Sequence, residues 1–340
     1  MSISRQTQRW LATALGATLL AVTGAANAQY QDRNIRASIV LGKGHSLSQA
    51  LAQVSQCAAE KSGGKMKIQP FYDGALGGDL AAIQQLRSGT LEMMVTSPSF
   101  MSGMVPSAAV FDLPFYFTNE KEIDAALDGK AGALLADRLM GSGLVTLAYY
   151  DLGFRHVTNS KHPIKRLEDF NGLKVRGMQN PVVLDTFKAL GGFAVAMPYS
   201  EAYSALENKT VDGQENAAGL IEISKFNEVQ KYLSNTGHMY TATMLAYSKQ
   251  LFDKLSAQEQ AALRECAVIA RDVQRRVNRQ QTQESIARMK ASGLVVNDIS
   301  ADEMARLRVA AAPVQANVLR AIGPEMMNAV QDDLKIVRGR

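Results

Sequence analysis

Two periods of apolar residues alternate along the first hundred positions of the chain. Apolar side chains at every second position predict a strand over 35–41, a second strand is predicted over 65–71, and a short apolar strand is predicted over 91–96. Between these strands, apolar residues at the helical period predict a helix that begins at Ser46 and a second helix with Asp79 as its N-cap. This β-α-β-α order predicts an α/β domain with a largely parallel sheet, whose ligands bind beyond the carboxyl ends of its strands.

A second series of elements is predicted to begin near Gly153. The same patterns indicate strands over 157–159 and 173–176 and helices over 181–190 and 200–206. Towards the C-terminus, a long helix is predicted over 256–289. Its apolar side is formed by Ala262, Cys266, Ile269, Val273 and Val277.

Composition excludes several classes of protein. Hydrophobic residues make up 46% of 340 positions, which is enough for substantial cores in about two domains. The formal net charge of +5 becomes +3 when Arg5 and Arg9 are removed with the N-terminal segment described next. Because the remaining basic residues are dispersed and not interleaved with aromatic ones, no nucleic-acid partner is expected.

The first 28 residues have the features of a secretory signal peptide. Arg5 and Arg9 precede an apolar segment over 10–24, and Ala26-Asn27-Ala28 forms a small-x-small cleavage site. An uncleaved membrane anchor is the alternative, but the segment is shorter than the ~20 residues that a spanning helix needs. We therefore expect cleavage after Ala28 and a periplasmic location.

The strongest functional signal is a set of ordered motifs between Gly153 and Asn216. They are Gly153-Phe154-Arg155 with Thr158-Asn159, Asn171-Gly172-Leu173-Lys174-Val175-Arg176, Met197-Pro198 with Glu201-Ala202-Tyr203-Ser204-Ala205-Leu206, and Val211-Asp212-Gly213-Gln214-Glu215-Asn216. With further motifs such as Leu76-Gly77-Gly78-Asp79, they cover 60–216. In order and spacing the motifs resemble the solute-binding (P) subunit of TRAP transporters, the DctP family.

The resemblance implies an α/β periplasmic binding protein with two domains that close like a clamshell. Hinge crossovers and a long helix spanning both domains are expected. The first domain would comprise 29–152 plus about 241–280, and the second 153–240 plus about 281–340. The expected function is capture of a small organic acid and its delivery to the small and large membrane subunits of the transporter. A monomer without a cofactor or metal is expected.

The resemblance also assigns roles to three residues of the second domain. Arg176 would form the salt bridge with the substrate carboxylate, Arg155 would make a second contact, and Asn216 would donate an amide hydrogen bond. The planar guanidinium fork of arginine matches a carboxylate with two parallel hydrogen bonds. From the residues alone, Arg155 or Arg176 could instead pair with a structural acid such as Asp212 or Glu215.

Three further positions are candidate ligand contacts. Tyr199 stands where the family often places an aromatic residue against the ligand, with a core tyrosine as the alternative. Ser97 follows a strand of the first domain, and a serine there argues against sialic acid, for which some relatives carry an acidic side chain. His45 precedes the first predicted helix and could bind ligand or be a plain surface histidine.

The motifs favour a binding protein over an enzyme. The four histidines are scattered without metal-ligand spacing, and neither H-E-x-x-H nor G-x-S-x-G occurs. A periplasmic ligand-binding partner of a sensor kinase would use the same fold and is the alternative function. Sugar acids, hydroxy or keto acids, dicarboxylates and aromatic acids all carry the carboxylate, so the motifs do not distinguish among them.

The only two cysteines of the chain allow two interpretations. Cys57 and Cys266 both lie on apolar faces of predicted helices. In an oxidising compartment they are predicted to form a disulfide, provided that their Cα atoms lie within ~7 Å. The alternative is two independent buried thiols, which behave as small hydrophobic side chains.

Overall fold

The computed structural model describes residues 30–339, which form one mixed β-sheet covered by helices. The predicted signal peptide over 1–28 lies outside this range. The strands are β1 Arg33–Ser38, β2 Met66–Phe71, β3 Met93–Thr96, β4 Leu144–Asn159, β5 Lys174–Gly177, β6 Phe193–Ala196, β7 Gly213–Ala217, β8 Tyr232–Ser248 and β9 Val295–Asp298.

Eleven α-helices lie within residues 30–339. They are α1 Ser46–Lys61, α2 Asp79–Ser88, α3 Glu120–Asp128, α4 Lys130–Gly141, α5 Pro181–Ala189, α6 Ala202–Glu207, α7 Ala218–Ile223, α8 Phe226–Val229, α9 Lys249–Phe252, α10 Ala257–Ala291 and α11 Ala301–Arg338. Short 3-10 helices cover Pro98–Met101, Pro106–Asp112, Leu167–Phe170 and Tyr199–Glu201. Over the described residues, none of the helices is both long and apolar enough to cross a membrane.

The sheet has a parallel section at each end and antiparallel strands in its middle. Its strand order is β2-β1-β3-β8-β4-β7-β5-β6, and β9 pairs with β8 outside this path. Strands β2, β1 and β3 are parallel to one another, as are β6, β5 and β7. Antiparallel β8 and β4 connect the two sections. The predicted α/β class is confirmed, and the predicted parallel pairing holds at the two ends of the sheet.

Two long strands run between the two halves of the molecule. Strand β4 has 16 residues and β8 has 17, and they pair along most of their length. Their register shifts between Asp151 and Gly153 and again between Arg155 and Val157. Gly153 has a φ of 120°, a backbone conformation that favours glycine. The sequence pattern predicted only the last three residues of β4, so this connection was missed.

The other predicted boundaries agree with the structure to within a few residues, and one predicted helix cap is wrong. The first strand ends at Ser38 rather than 41, while α1 begins at Ser46 as predicted. Asp79 is the first residue of α2 and not its N-cap, which is Gly78. The Asp79 carboxylate instead accepts a hydrogen bond from the Thr96 hydroxyl at 2.7 Å. Asp79 therefore faces the end of a neighbouring strand.

Helix α10 packs on α1 near its N-terminus and on α7 further along, as a helix spanning both domains should. The prediction that Ile269 lies on the buried apolar side of α10 is wrong, because this residue is 44% exposed. Ala267 and Ala270 are buried instead, and Gln274 continues the buried side with a polar residue. The structure joins Cys57 on α1 to Cys266 on α10 by a disulfide, with Cα atoms 5.7 Å apart, which confirms the predicted pairing.

Candidate ligand-binding site

A cavity of about 70 Å³ lies where the carboxyl ends of the parallel strands from both halves meet. Ile39 and Thr96 reach it from the ends of β1 and β3, and Arg176 and Asn216 from the ends of β5 and β7. Thr241 and Thr243 of the long strand β8 also line it. This is the edge at which α/β sheets bind ligands.

Arg176 is a buried cation at the cavity. Its side chain is 3% exposed, and its Nε and Nη2 donate to the Met197 carbonyl at 3.1 and 2.7 Å. Among residues 30–339, no carboxylate forms an ion pair with this guanidinium, and Nη1 has no hydrogen-bond partner. Burial lowers the pKa of Arg176 to about 10, against the opposing effect of Glu215. The side chain is therefore charged at neutral pH and largely desolvated, which favours an anionic ligand.

Asn216 and Tyr199 line the same cavity as Arg176. The Asn216 side-chain oxygen accepts from the Ala217 N–H at 3.1 Å, which orients the amide nitrogen as a donor. Tyr199 opens a short 3-10 helix, and its hydroxyl forms a hydrogen bond with Ser224. Its ring packs at 6.1 Å from that of Phe226. Tyr199 therefore packs in the local core, as the alternative predicted, and it also lines the cavity. Its contact with a ligand stays a prediction.

Arg155 also lines the cavity but is held by a structural acid. Its Nη2 donates to Glu215 Oε1 at 2.8 Å, its Nε donates to Oε2, and its Nη1 donates to Thr241 Oγ1 at 2.9 Å. Burial alone would raise the pKa of Glu215, but Arg155 and His238 outweigh it and hold that pKa at about 2. The alternative raised for Arg155, an ion pair with Glu215, is therefore present.

Ser97 lies at the cavity within a chain of hydrogen bonds. Its hydroxyl donates to Ser99 Oγ at 2.8 Å, and Ser99 donates to Asp112 Oδ1 at 2.6 Å. Asn180, from the other half of the sheet, donates to Asp112 Oδ2 at 2.8 Å. Burial raises the pKa of Asp112 to about 7 even though Ser99 and Asn180 lower it. Ser97 is thus fixed by a buried network that links both halves.

His45 does not line the cavity that contains Arg176. It is 5% exposed and forms the N-cap of α1, where its Nδ1 accepts from the Leu47 N–H at 3.1 Å. Burial lowers its pKa to about 4. It lines a neighbouring cleft that shares Tyr199 and Leu220 with the cavity. The alternative of a plain surface histidine is wrong, because His45 is buried.

Sequence reasoning missed several residues of the cavity. Asp79 lines it, and burial raises its pKa to about 6, partly offset by Thr96 and Arg176. Thr243 lines it with a buried hydroxyl that has no hydrogen-bond partner. Asp79 had been assigned to a helix cap, and nothing in the pattern of β8 distinguished Thr243. Within residues 30–339, no group of three or more His, Cys, Asp or Glu side chains is placed to hold a metal ion.

The fold and the cavity are those of a solute-binding protein with two α/β halves. The chain belongs to family 7 of the bacterial extracellular solute-binding proteins, the DctP family, whose model matches residues 37–321. This membership confirms the predicted family. Because the family consists of substrate-binding transport proteins, it also confirms that the chain is a binding protein and not an enzyme.

Solved structures share the fold over nearly the whole chain. A sugar acid binding protein from Advenella mimigardefordensis, in complex with galactonate, is 39% identical with a TM-score of 0.87 and covers 90% of this chain and 99% of its own. A TRAP periplasmic solute-binding protein from a Sulfitobacter species, with bound β-D-galacturonate, is 33% identical with a TM-score of 0.83 over 87% and 98% of the two chains. The two-domain architecture is thereby confirmed.

A third relative matches over most of its own length. The 2,3-diketo-L-gulonate-binding periplasmic protein YiaO of Escherichia coli K12 is 35% identical over 272 residues, or 77% of this chain and 83% of its own. The expected domain boundaries and the roles of individual site residues remain predictions.

Proposed function

We propose that this protein is the solute-binding subunit of a TRAP transporter, which captures a small organic acid through an Arg176–carboxylate salt bridge. The buried guanidinium of Arg176 carries the proposal, since no acid is paired with it among the described residues. A ligand carboxylate would supply the missing counter-charge. Asn216 would add a hydrogen bond from its amide nitrogen, which stands at the same cavity. Arg155 is already paired with Glu215, so it would affect the ligand mainly through its positive charge at the cavity.

Ligand capture would be coupled to closure of the two halves. The cavity is lined by Ser97 from the first half and by Arg176, Asn216 and Tyr199 from the second. A ligand that contacts both halves stabilises the closed state more than the open one. The closed form would then dock on the small and large membrane subunits and release the acid for import.

Export would precede this function. Residues 1–28 have the charge, apolar core and cleavage site of a signal peptide, and family 7 is a family of extracellular binding proteins. We propose that cleavage after Ala28 yields the mature periplasmic protein. N-terminal sequencing of protein recovered from the periplasm should begin at Gln29, and a mature chain that begins at Met1 would contradict cleavage.

Substitution of Arg176 by lysine tests the salt bridge. Arg176→Lys keeps the charge but removes the fork of donors, so the affinity for carboxylate ligands should fall by about 2–4 kcal/mol. Isothermal titration calorimetry against a library of organic acids measures this loss. Product analysis of the same mixtures should show the acids unchanged.

Arg275→Lys is the matched control. Arg275 is also a buried arginine, but it pairs with Asp128 and does not line the cavity. Its substitution should leave the affinity within about twofold of wild type. Equal affinity of Arg176→Lys and wild type would contradict the salt bridge, and failure to bind any carboxylate would contradict the proposed function itself.

A further inference from the structure

The wall of the cavity is mostly aliphatic. Side chains from the ends of β1 and β3, from the start of α1 and from both halves of the sheet contribute to it: Ile39, Leu41, Leu47, Val95, Leu152 and Leu220. Each of these is less than a tenth exposed. The portion of a bound ligand that packs against these side chains would lose contact with water and gain few hydrogen bonds. Aliphatic carbon is favoured in such surroundings, and hydroxyl groups are disfavoured.

Most polar groups at the cavity already have partners within the protein. Arg155 is bound to Glu215 and Thr241, and Ser97 donates to Ser99. The Thr96 hydroxyl is bound to Asp79 Oδ1. These contacts hold the groups in place. The Thr241 hydroxyl accepts from Arg155, so its hydrogen stays available to a ligand.

A small set of polar groups is left for the ligand. Arg176 Nη1 and the Asn216 amide nitrogen have no acceptor among residues 30–339, and they suit a carboxylate. The Thr243 hydroxyl is buried without a hydrogen-bond partner in the same part of the chain. Asp79 keeps Oδ2 as an acceptor, since only its Oδ1 is bound to Thr96. A carboxylate and one oxygen substituent would satisfy this set.

The number of hydroxyl groups in a sugar acid points the same way. A six-carbon sugar acid carries a hydroxyl on nearly every carbon, and each one would need a partner when buried. The cavity provides few partners for these hydroxyl groups.

We propose that the ligand is an aliphatic monocarboxylate with one hydroxyl or keto oxygen next to an apolar body. This inference rests on the proposed function and narrows it, because it places the carboxylate at Arg176 and the single oxygen at Thr243. Thr243 is then a specificity-determining residue. The aliphatic wall selects against the polyhydroxylated acids that similar proteins bind.

Calorimetry with a panel of acids tests the substrate class. 2-Hydroxyisocaproate and 2-ketoisocaproate should bind at least about tenfold more tightly than galactonate and gluconate. Isocaproate, which lacks the oxygen, should bind more weakly than 2-hydroxyisocaproate. Tighter binding of galactonate or gluconate, lost in Arg176→Lys, would overturn the inference and leave the proposed function intact. If neither the panel nor any other carboxylate binds, both this inference and the proposed function are overturned.

Thr243→Val tests the position of the oxygen. The change keeps the shape of the side chain and removes its hydroxyl, so the affinity for 2-hydroxyisocaproate should fall about fivefold or more. The affinity for isocaproate should change less, since that ligand has no group to bind there. Thr146→Val is the matched control, because Thr146 is a buried strand threonine that does not line the cavity. An equal loss for both ligands in Thr243→Val would overturn the role of Thr243.

Discussion

Arg155 and Arg176 have the same side chain but different surroundings, and the difference decides what each can do. Arg155 is neutralised by the carboxylate of Glu215, so its charge is already used inside the protein. Arg176 has only the Met197 carbonyl as an acceptor among the described residues. A buried charge without a counter-ion costs free energy, and an anionic ligand removes that cost. The unpaired arginine is therefore the better ligand anchor.

The pair of Arg155 and Glu215 should be more important for folding than for contact with the ligand. Glu215→Gln leaves the Arg155 charge buried without a carboxylate, and the free energy of unfolding should fall by about 3–5 kcal/mol. Urea unfolding followed by circular dichroism measures it. A double variant, Arg155→Met with Glu215→Leu, should recover much of the loss because no buried charge remains. Full stability of Glu215→Gln alone would contradict this role.

His45 should make the protein sensitive to acid. Burial lowers its pKa from 6.5 to about 4, so the folded state binds fewer protons than the unfolded state between these values. Its contribution to stability is present above the unfolded pKa of 6.5 and is lost as the pH falls towards the folded pKa of about 4. His45→Asn keeps a side-chain acceptor for the Leu47 N–H but does not titrate.

Urea unfolding at about pH 7.5 and about pH 4.5 measures this effect. When the pH is lowered from the first value to the second, the free energy of unfolding should fall by about 1–3 kcal/mol more for wild type than for His45→Asn. His162→Asn is the control for the substitution itself, because His162 is partly exposed and lies outside α1. An identical pH dependence for wild type and His45→Asn would contradict the prediction.

The sequence identified the two arginines and the asparagine of the cavity but neither Asp79 nor the aliphatic wall. Arg155, Arg176 and Asn216 were found because their motifs match a family in order and spacing, and all three line the cavity. Ile39 and Leu47 were recognised only as apolar residues of a strand and a helix. Whether such a side chain faces the core or a cavity depends on packing between distant elements, which a period along the chain does not contain.

At the scale of elements, local patterns predicted the short elements and missed the long strands. Strands β1 and β5 and helix α1 follow clear periods, and their boundaries lie close to the predicted ones. Strands β4 and β8 are buried over most of their length, so apolar residues occur on both faces and the alternation is lost. These two strands form the connection between the halves, which is why the predicted domain boundary near Gly153 falls inside β4.

The disulfide joins two elements that are far apart in sequence. Cys57 and Cys266 are separated by 209 residues, so the bridge restricts a large loop of the unfolded chain. Replacement of both cysteines by alanine should lower the free energy of unfolding by about 2–5 kcal/mol. Ligand affinity should remain close to wild type, because neither residue lines the cavity.

Urea unfolding with and without a reductant measures the contribution of the bridge. Reduced wild type should approach the stability of the double alanine variant. A thiol assay on unfolded, non-reduced protein should find no free thiol, because the sequence has only these two cysteines. Two free thiols together with unchanged stability would contradict the bridge.

At the scale of the whole molecule, the site and the connections between the halves coincide. The cavity is lined by β8 and β4, the two strands that join the halves, and by the ends of strands from either side. The disulfide attaches the N-terminal part of α10 to α1, while its later part packs on α7. A movement of one half relative to the other would therefore bend β4 and β8 beside the cavity, and it would also bend α10.

Ligand should close the two halves towards each other, because it gains contacts with both only when they approach. Small-angle scattering should give a smaller radius of gyration at saturating ligand than without it. Spin labels carried by unnatural side chains at Gln56 on α1 and Ser204 on α6, both exposed, should move closer together. A control pair at Gln56 and Gln84, both in the first half, should keep its distance. An unchanged scattering curve with unchanged distances for both pairs would rule out closure and leave a preformed cavity as the binding site.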